Sequence, residues 1–167
     1  MKVIFGADHA GFELKERLKK FVSSQGYDVV DCGNDHFDSD DDYPDYILPA
    51  AQAVSKADSK DVVGIIIGGS GQGEAMAANR VPGVRATVFY GPHLATRAVD
   101  HTGRMSSDPY EIVNLSRSHN AANMLAIGVR FVSDEEAETA VKQWLESDPE
   151  VKDRYMKRIN QVEEMTK

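Results

Sequence analysis

The chain has 167 residues, of which 41% are hydrophobic, with a formal net charge of −8 and a single cysteine, Cys32. That length and apolar content suit one compact domain over 1–167, and the acidic balance argues against a nucleic-acid backbone or an anionic membrane as main partner, since both would repel it at long range. A lone cysteine excludes an intramolecular disulfide framework and a multi-cysteine zinc site; the apolar run at the N-terminus is too short for a signal peptide or a membrane span, so a soluble cytoplasmic protein is expected.

In chain order, Lys2 to Phe5 is a short apolar run closed by Gly6. "HAGFELKERLKKFVSSQG" then sets Phe12, Leu14, Leu18, Phe21 and Val22 largely on one helical face, and Gly26 stops that helix. "YDVVDCG" reads as a second strand. The acidic stretch "NDHFDSDDD" reads as a solvated turn; its carboxylates have the chemistry for magnesium, but nothing fixes their geometry and no metal is expected. A helix over about 44–57 follows. "DVVGIIIGG" is a third strand whose unbroken β-branched run suits burial on both faces of a parallel sheet. After a helix carrying "EAMAANR", "GVRATVFY" and "NMLAIGVRFV" make the fourth and fifth strands. Ser133 and Glu136 form a capping box opening "DEEAETAVKQWLES", and Asp148 with Pro149 caps and starts a last helix over about 149–164. This alternation predicts an α/β fold: a Rossmann-like three-layer α/β/α sandwich with a five-stranded parallel sheet.

In such sheets ligands sit beyond the carboxyl ends of the strands. Candidate residues there are Asp8 and His9 after the first strand, "GGSGQGE" after the third, His119 and Asn120 before the fifth, and Arg154 and Arg158 on the final helix. The glycine-rich turn suits an oxyanion, held by backbone amides and a helix N-terminus. It lacks a Walker lysine and fits a dinucleotide fingerprint poorly, and a tight turn without ligand is the alternative. Glu74 lies in the first turn of the following helix, where the dipole favours a carboxylate anyway; beside a dry anion pocket it could act as a general base. Asp8 could simply cap a helix, and His119 could mark a helix end. Arg154 and Arg158, four apart, could be a solvated face paired with neighbouring carboxylates or a forked phosphate clamp.

Taken in order, "GADHAGFELK", "DYPDY", "GGSGQGEAMAANR", "HNAANMLAIGVR" and "RYMKR" resemble the type B ribose-5-phosphate isomerases from the N-terminus to the last helix. The resemblance implies interconversion of ribose 5-phosphate and ribulose 5-phosphate through an enediolate, a step of the pentose phosphate pathway. It further implies no metal or organic cofactor and a homodimer with shared active sites, with pairing into tetramers left open. Carried over residue by residue, it gives Asp8 a part in moving protons at the sugar oxygens and His9 a place at the phosphate. His119 would open the furanose ring and Asn120 would hold a hydroxyl, both from the partner chain. Arg130 would reach the phosphate from the partner, Arg154 and Arg158 would grip it from the final helix, itself expected on the partner, and Tyr43 would line the pocket. The loop from Gly69 to Gly73, with Ser70 and Gly71, would stabilise the enediolate oxygen. One branch of the family has a cysteine as carbon base at the end of the third strand; this chain has Gly68 there, so the resemblance assigns that role to Glu74, as in the glutamate branch.

Two departures bear on substrate. The span between the fourth strand and His119 is longer than the family usually has, bringing His93, Arg97, His101 and Arg104 toward the pocket rim, and Tyr155 stands between the arginines where a histidine is common. The alternatives are therefore another aldose phosphate (allose 6-phosphate, galactose 6-phosphate or a tetrose phosphate) or a phosphosugar-binding module without turnover.

Overall fold

A computed structural model describes residues 1–57, 61–147 and 152–166. The apolar runs become β1 (Lys2–Ala7), β2 (Asp28–Asp31), β3 (Val62–Gly68), β4 (Ala86–Phe89) and β5 (Met124–Gly128), paired in parallel in the order β2-β1-β3-β5-β4. A 3-10 turn, His9–Gly11, leads into α1 (Phe12–Ser24); α2 (Pro44–Ser55), α3 (Gln72–Ala78), α4 (Glu111–Asn120), α5 (Asp134–Glu146) and α6 (Asp153–Met165) follow.

Successive residues of a strand point to opposite faces, and the sheet is covered on both. Val3, Phe5, Ile65, Ile67, Leu125 and Ile127 face Leu14, Leu18 and Val22 of α1, Val113 of α4 and Trp144 of α5. Ile4, Ile66, Met124 and Ala126 face Ile47, Ala50, Ala51 and Val54 of α2 with Ala75 and Ala78 of α3. At about 1.5–3 kcal/mol for each large aliphatic side chain taken out of water, these two apolar layers are the main favourable term in the fold. The expected three-layer sandwich is what forms.

The differences from the sequence reading are local. The second, fourth and fifth strands come out shorter than expected, Asp28–Asp31, Ala86–Phe89 and Met124–Gly128; the first two of these lie at the sheet's edges, with a neighbour on one side only. The capping box is present: Ser133 N donates to Glu136 Oε2 at 2.8 Å and Glu136 N to Ser133 Oγ at 3.2 Å. The proposed cap at Asp148 and Pro149 lies outside the described residues. Of α4 the sequence offered only its end, because its buried face carries polar groups. Ser116 Oγ accepts from Trp144 Nε1 at 3.1 Å, and the Arg117 guanidinium lies 4.9 Å from the Trp144 ring centre. Helix α6 has no buried residue, and Arg85 to Glu163 at 3.4 Å is the ion pair that ties it to the sheet among the described residues.

Candidate active site

At the carboxyl edge of the sheet, β1 hands on to Asp8 and His9, β3 to Gly69, Ser70 and Gly71, and β5 to Arg130. Gly71 has φ +73°, a left-handed conformation that lets β3 turn straight into α3 without strain. Ser70 Oγ accepts from Gln72 N at 3.3 Å, closing that turn. Gly73 belongs to the first turn of α3 and not to the loop, and the Tyr43 ring lies against it: a Cβ there would stand 3.2 Å from Tyr43 Cζ.

Glu74 folds back over the end of β3. A Cβ built on Gly68 would overlap its carboxylate, so the missing side chain at 68 is the space the carboxylate fills. Glu74 is 5% exposed, and its buried Oε2 has no hydrogen-bond partner. Burial pushes its pKa above the ordinary glutamate value and the negative charge of Asp8 adds to that, while Arg130 opposes it. Arg130 N donates to Gly69 O at 3.2 Å, and its guanidinium carbon would stand 3.0 Å from a Cβ on Gly69. Arg130 thus lies in the Glu74 cluster of its own chain, whereas the resemblance implied arrival from a partner.

Asp8 does cap the 3-10 turn, accepting from Ala10 N at 3.1 Å and Gly11 N at 3.4 Å, and is 8% exposed. Beside it, His9 pairs with a residue the sequence reading missed. Asp41 Oδ1 accepts from His9 N at 2.9 Å and meets His9 Nδ1 at 2.7 Å. One aspartate of an acidic loop turns inward, and composition gives no sign of which. The ligand-type atoms of Asp8, His9 and Asp41 lie within 4.8 Å of one another, the spacing of a metal site. Because Nδ1 and Oδ1 are already bonded to each other, the group reads as a hydrogen-bonded dyad beside a carboxylate.

His119 and Asn120 fall elsewhere. They end α4 just before β5, and with all strands parallel this is the amino edge of the sheet, opposite Glu74. The sequence reading grouped them with the carboxyl-edge residues, and chain direction overturns that for a single chain. They line a cleft of about 960 Å³ together with Arg80, Thr87, Tyr155 and Arg158. The His119 ring stacks on Tyr155, centres 4.1 Å apart and planes at 20°, while His101 meets Tyr155 edge-on at 6.5 Å. Burial holds His119 below the usual histidine pKa, against the pull of Asp100 and Glu111. Arg104 bonds Glu111 at 2.6 Å and Asp100 at 3.3 Å, so part of the long span supports the ground behind His119. Arg154 is exposed, and neither it nor Arg158 enters an ion pair among the described residues; Glu150, a partner in the solvated-face reading, lies outside them.

A buried carboxylate beside a glycine-rich turn, at the carboxyl edge of a doubly wound sheet, is the equipment of a proton-transfer enzyme. The chain belongs to the Ribose/Galactose Isomerase family, whose model matches residues 3–104 and 106–162, breaking at 105 within the long span. It is 35% identical over 161 residues to ribose-5-phosphate isomerase B of Mycolicibacterium paratuberculosis, covering 96% of this chain and 88% of that protein. To the protein of the same name from Escherichia coli it is 36% identical over 144 residues, covering 86% and 83%. Among solved structures it is similar to ribose-5-phosphate isomerase B from Mycoplasma genitalium with bound ribulose-5-phosphate, with TM-score 0.83, 31% identity, and 99% and 95% of the two chains covered. The enzyme from Clostridium thermocellum gives TM-score 0.82 at 34% identity, covering 99% and 97%.

Proposed function

We propose that the chain isomerises ribose 5-phosphate and ribulose 5-phosphate, with Glu74 as the carbon base. The observation that carries this is the buried Glu74 carboxylate, seated in the space left by Gly68 with one oxygen unpartnered. A carboxylate whose pKa burial raises takes the C2 proton of the open-chain aldose and returns it to C1, while the hydroxyl proton passes between O2 and O1. Asp8 stands close enough to raise the pKa of Glu74 and serves that second transfer. Backbone amides of Gly69, Ser70 and Gly71 at the start of α3 offset the charge on the enediolate oxygen.

The phosphate needs local cations on a chain of net charge −8, and Arg130, His9, Arg154 and Arg158 are the candidates. His119, held largely neutral, can exchange a proton with the ring oxygen during opening, and Asn120 can hold a hydroxyl. Since these two lie on the opposite edge from Glu74, the reading requires a homodimer in which one chain's amino edge meets the other's carboxyl edge. The solvent-facing α6, whose arginines are unpaired among the described residues, fits a helix that lies on the partner. The reaction needs no cofactor, and the setting is cytoplasmic.

Exchange of the substrate C2 proton with deuterated water tests the reading. The wild-type chain should catalyse it with ribose 5-phosphate and Glu74→Gln should not; exchange at a near-normal rate in the variant would move the base elsewhere.

A further inference from the structure

Beside the Glu74 cluster at the carboxyl edge lies the acidic loop that follows β2. That loop contributes Asp41, whose side chain is 4% exposed against 34% for the His9 ring it holds. A single oxygen, Oδ1, takes both the backbone amide and the ring of His9, at 2.9 and 2.7 Å, across 32 positions of sequence. The other oxygen accepts from Asn34 Nδ2 at 2.7 Å. Asn34 is itself held: its backbone oxygen accepts from Lys15 Nζ at 2.6 Å, and that nitrogen also reaches Asp31 at 2.7 Å. Lys15 is wholly buried under α1. A buried ammonium is retained only where charged and carbonyl oxygens surround it, and here it fixes the start of a relay that ends on a half-exposed imidazole.

We propose that Asp41 is the positioning residue for His9: it locks the backbone and ring Nδ1 together, leaving Nε2 as the one ring nitrogen free to meet an anion. This rests on the reading that His9 faces the substrate phosphate. An imidazole that accepts nothing and donates from both nitrogens is a cation, and a fixed cation binds an anion without the entropic cost of ordering it first. The electrostatics run the same way. The hydrogen bond that His9 donates to Asp41 raises the His9 pKa, Asp8 adds to it from the end of β1, and desolvation opposes both. Burial alone would raise Asp41, yet its bonds to His9 and Asn34 hold it below the usual carboxylate range, so it stays charged. Asp41 touches no reacting atom, so its loss should act on binding and on the pH at which binding fails.

Sulfate is a suitable probe, because its charge is constant across the range in which histidine titrates. In the full-length chain, the His9 ring is followed by NMR against pH, assigned by its loss in His9→Gln, and sulfate binding is measured by calorimetry at several pH values. Wild-type His9 should titrate above the ordinary histidine value, and sulfate binding should fall as pH rises through that midpoint. Asp41→Asn should move both to lower pH and weaken sulfate about tenfold above neutrality, with Asp41→Ala losing more because it also removes the acceptor. Asn34→Ala, which keeps the carboxylate and removes its anchor, should shift His9 the same way by less. With ribose 5-phosphate, KM should rise while kcat stays within about threefold. A wild-type His9 that titrates at or below the ordinary value, an unchanged midpoint in folded Asp41→Asn, or a kcat loss with KM intact would each overturn the proposal. If the chain proved to turn over no ribose 5-phosphate, the titration and sulfate measurements would still decide the role of Asp41.

Discussion

The two edges of the sheet carry two kinds of site. At the carboxyl edge, Glu74, Asp8 and Asp41 are buried and bound to the ends of strands whose neighbours are the most deeply packed residues of the chain. At the amino edge, His119 ends α4 and stacks on Tyr155 of α6, a helix with no buried residue. The first is held by the core of its own chain; the second stands on segments at the margin of the fold. The shifts differ in sign but share a cause, since burial raises the pKa of Glu74 and lowers that of His119, in each case favouring the uncharged form.

The largest effect that would sharpen this contrast is loss of the base. Glu74→Gln should lower kcat about 10²- to 10⁴-fold with the fold intact, measured by steady-state turnover. His119→Ala should also be poorly active on closed-ring substrate, and mixing the two defective variants under conditions of subunit exchange should recover about a quarter of wild-type activity, because each hybrid dimer holds one intact site. Recovery of nothing would break the two-edge reading. Next in size, Arg154→Ala and Arg158→Ala should each raise KM for ribose 5-phosphate about 10- to 100-fold and leave a phosphate-free sugar nearly indifferent, read as the ratio of kcat/KM for the two substrates.

Smaller shifts test the electrostatics. Since Glu74 must be deprotonated to act and its pKa is raised, kcat/KM should fall on the acid side at a pH above the ordinary glutamate range. Asp8→Asn should move that acid limb to lower pH, because it removes a like charge. Smallest, and of opposite sign to the catalytic loss, Glu74→Gln should stabilise the fold slightly at neutral pH. A carboxyl whose pKa is raised by folding contributes its stability below the unfolded pKa and loses it as pH rises through the folded one, so the gap between variant and wild type should open with pH in thermal melts.

The sheet, its helices and the Glu74 turn were legible because a β-branched run ending in glycines has few other structural uses. Gly71 shows why, taking a left-handed conformation that favours glycine; the space Gly68 leaves for the Glu74 carboxylate was visible only in the structure. Helix α4 was illegible as a helix because Ser116 and Arg117 fill its inner face, satisfied by Trp144 from far along the chain. Asp41 was hidden among neighbouring aspartates, since what distinguishes it is a bond to His9 across 32 positions. Grouping His119 with the carboxyl-edge residues failed for a simpler reason: a residue before a strand and one after it lie on opposite edges, which depends on chain direction and not on residue type.

The overlap between Gly68 and Glu74 also constrains how such a protein can change over generations. A side chain at 68 would displace the carboxylate, and removal of the carboxylate would leave an empty hollow with no base. Positions 68 and 74 are in this sense one heritable unit: whatever gains bulk at the strand end must be answered at the helix start.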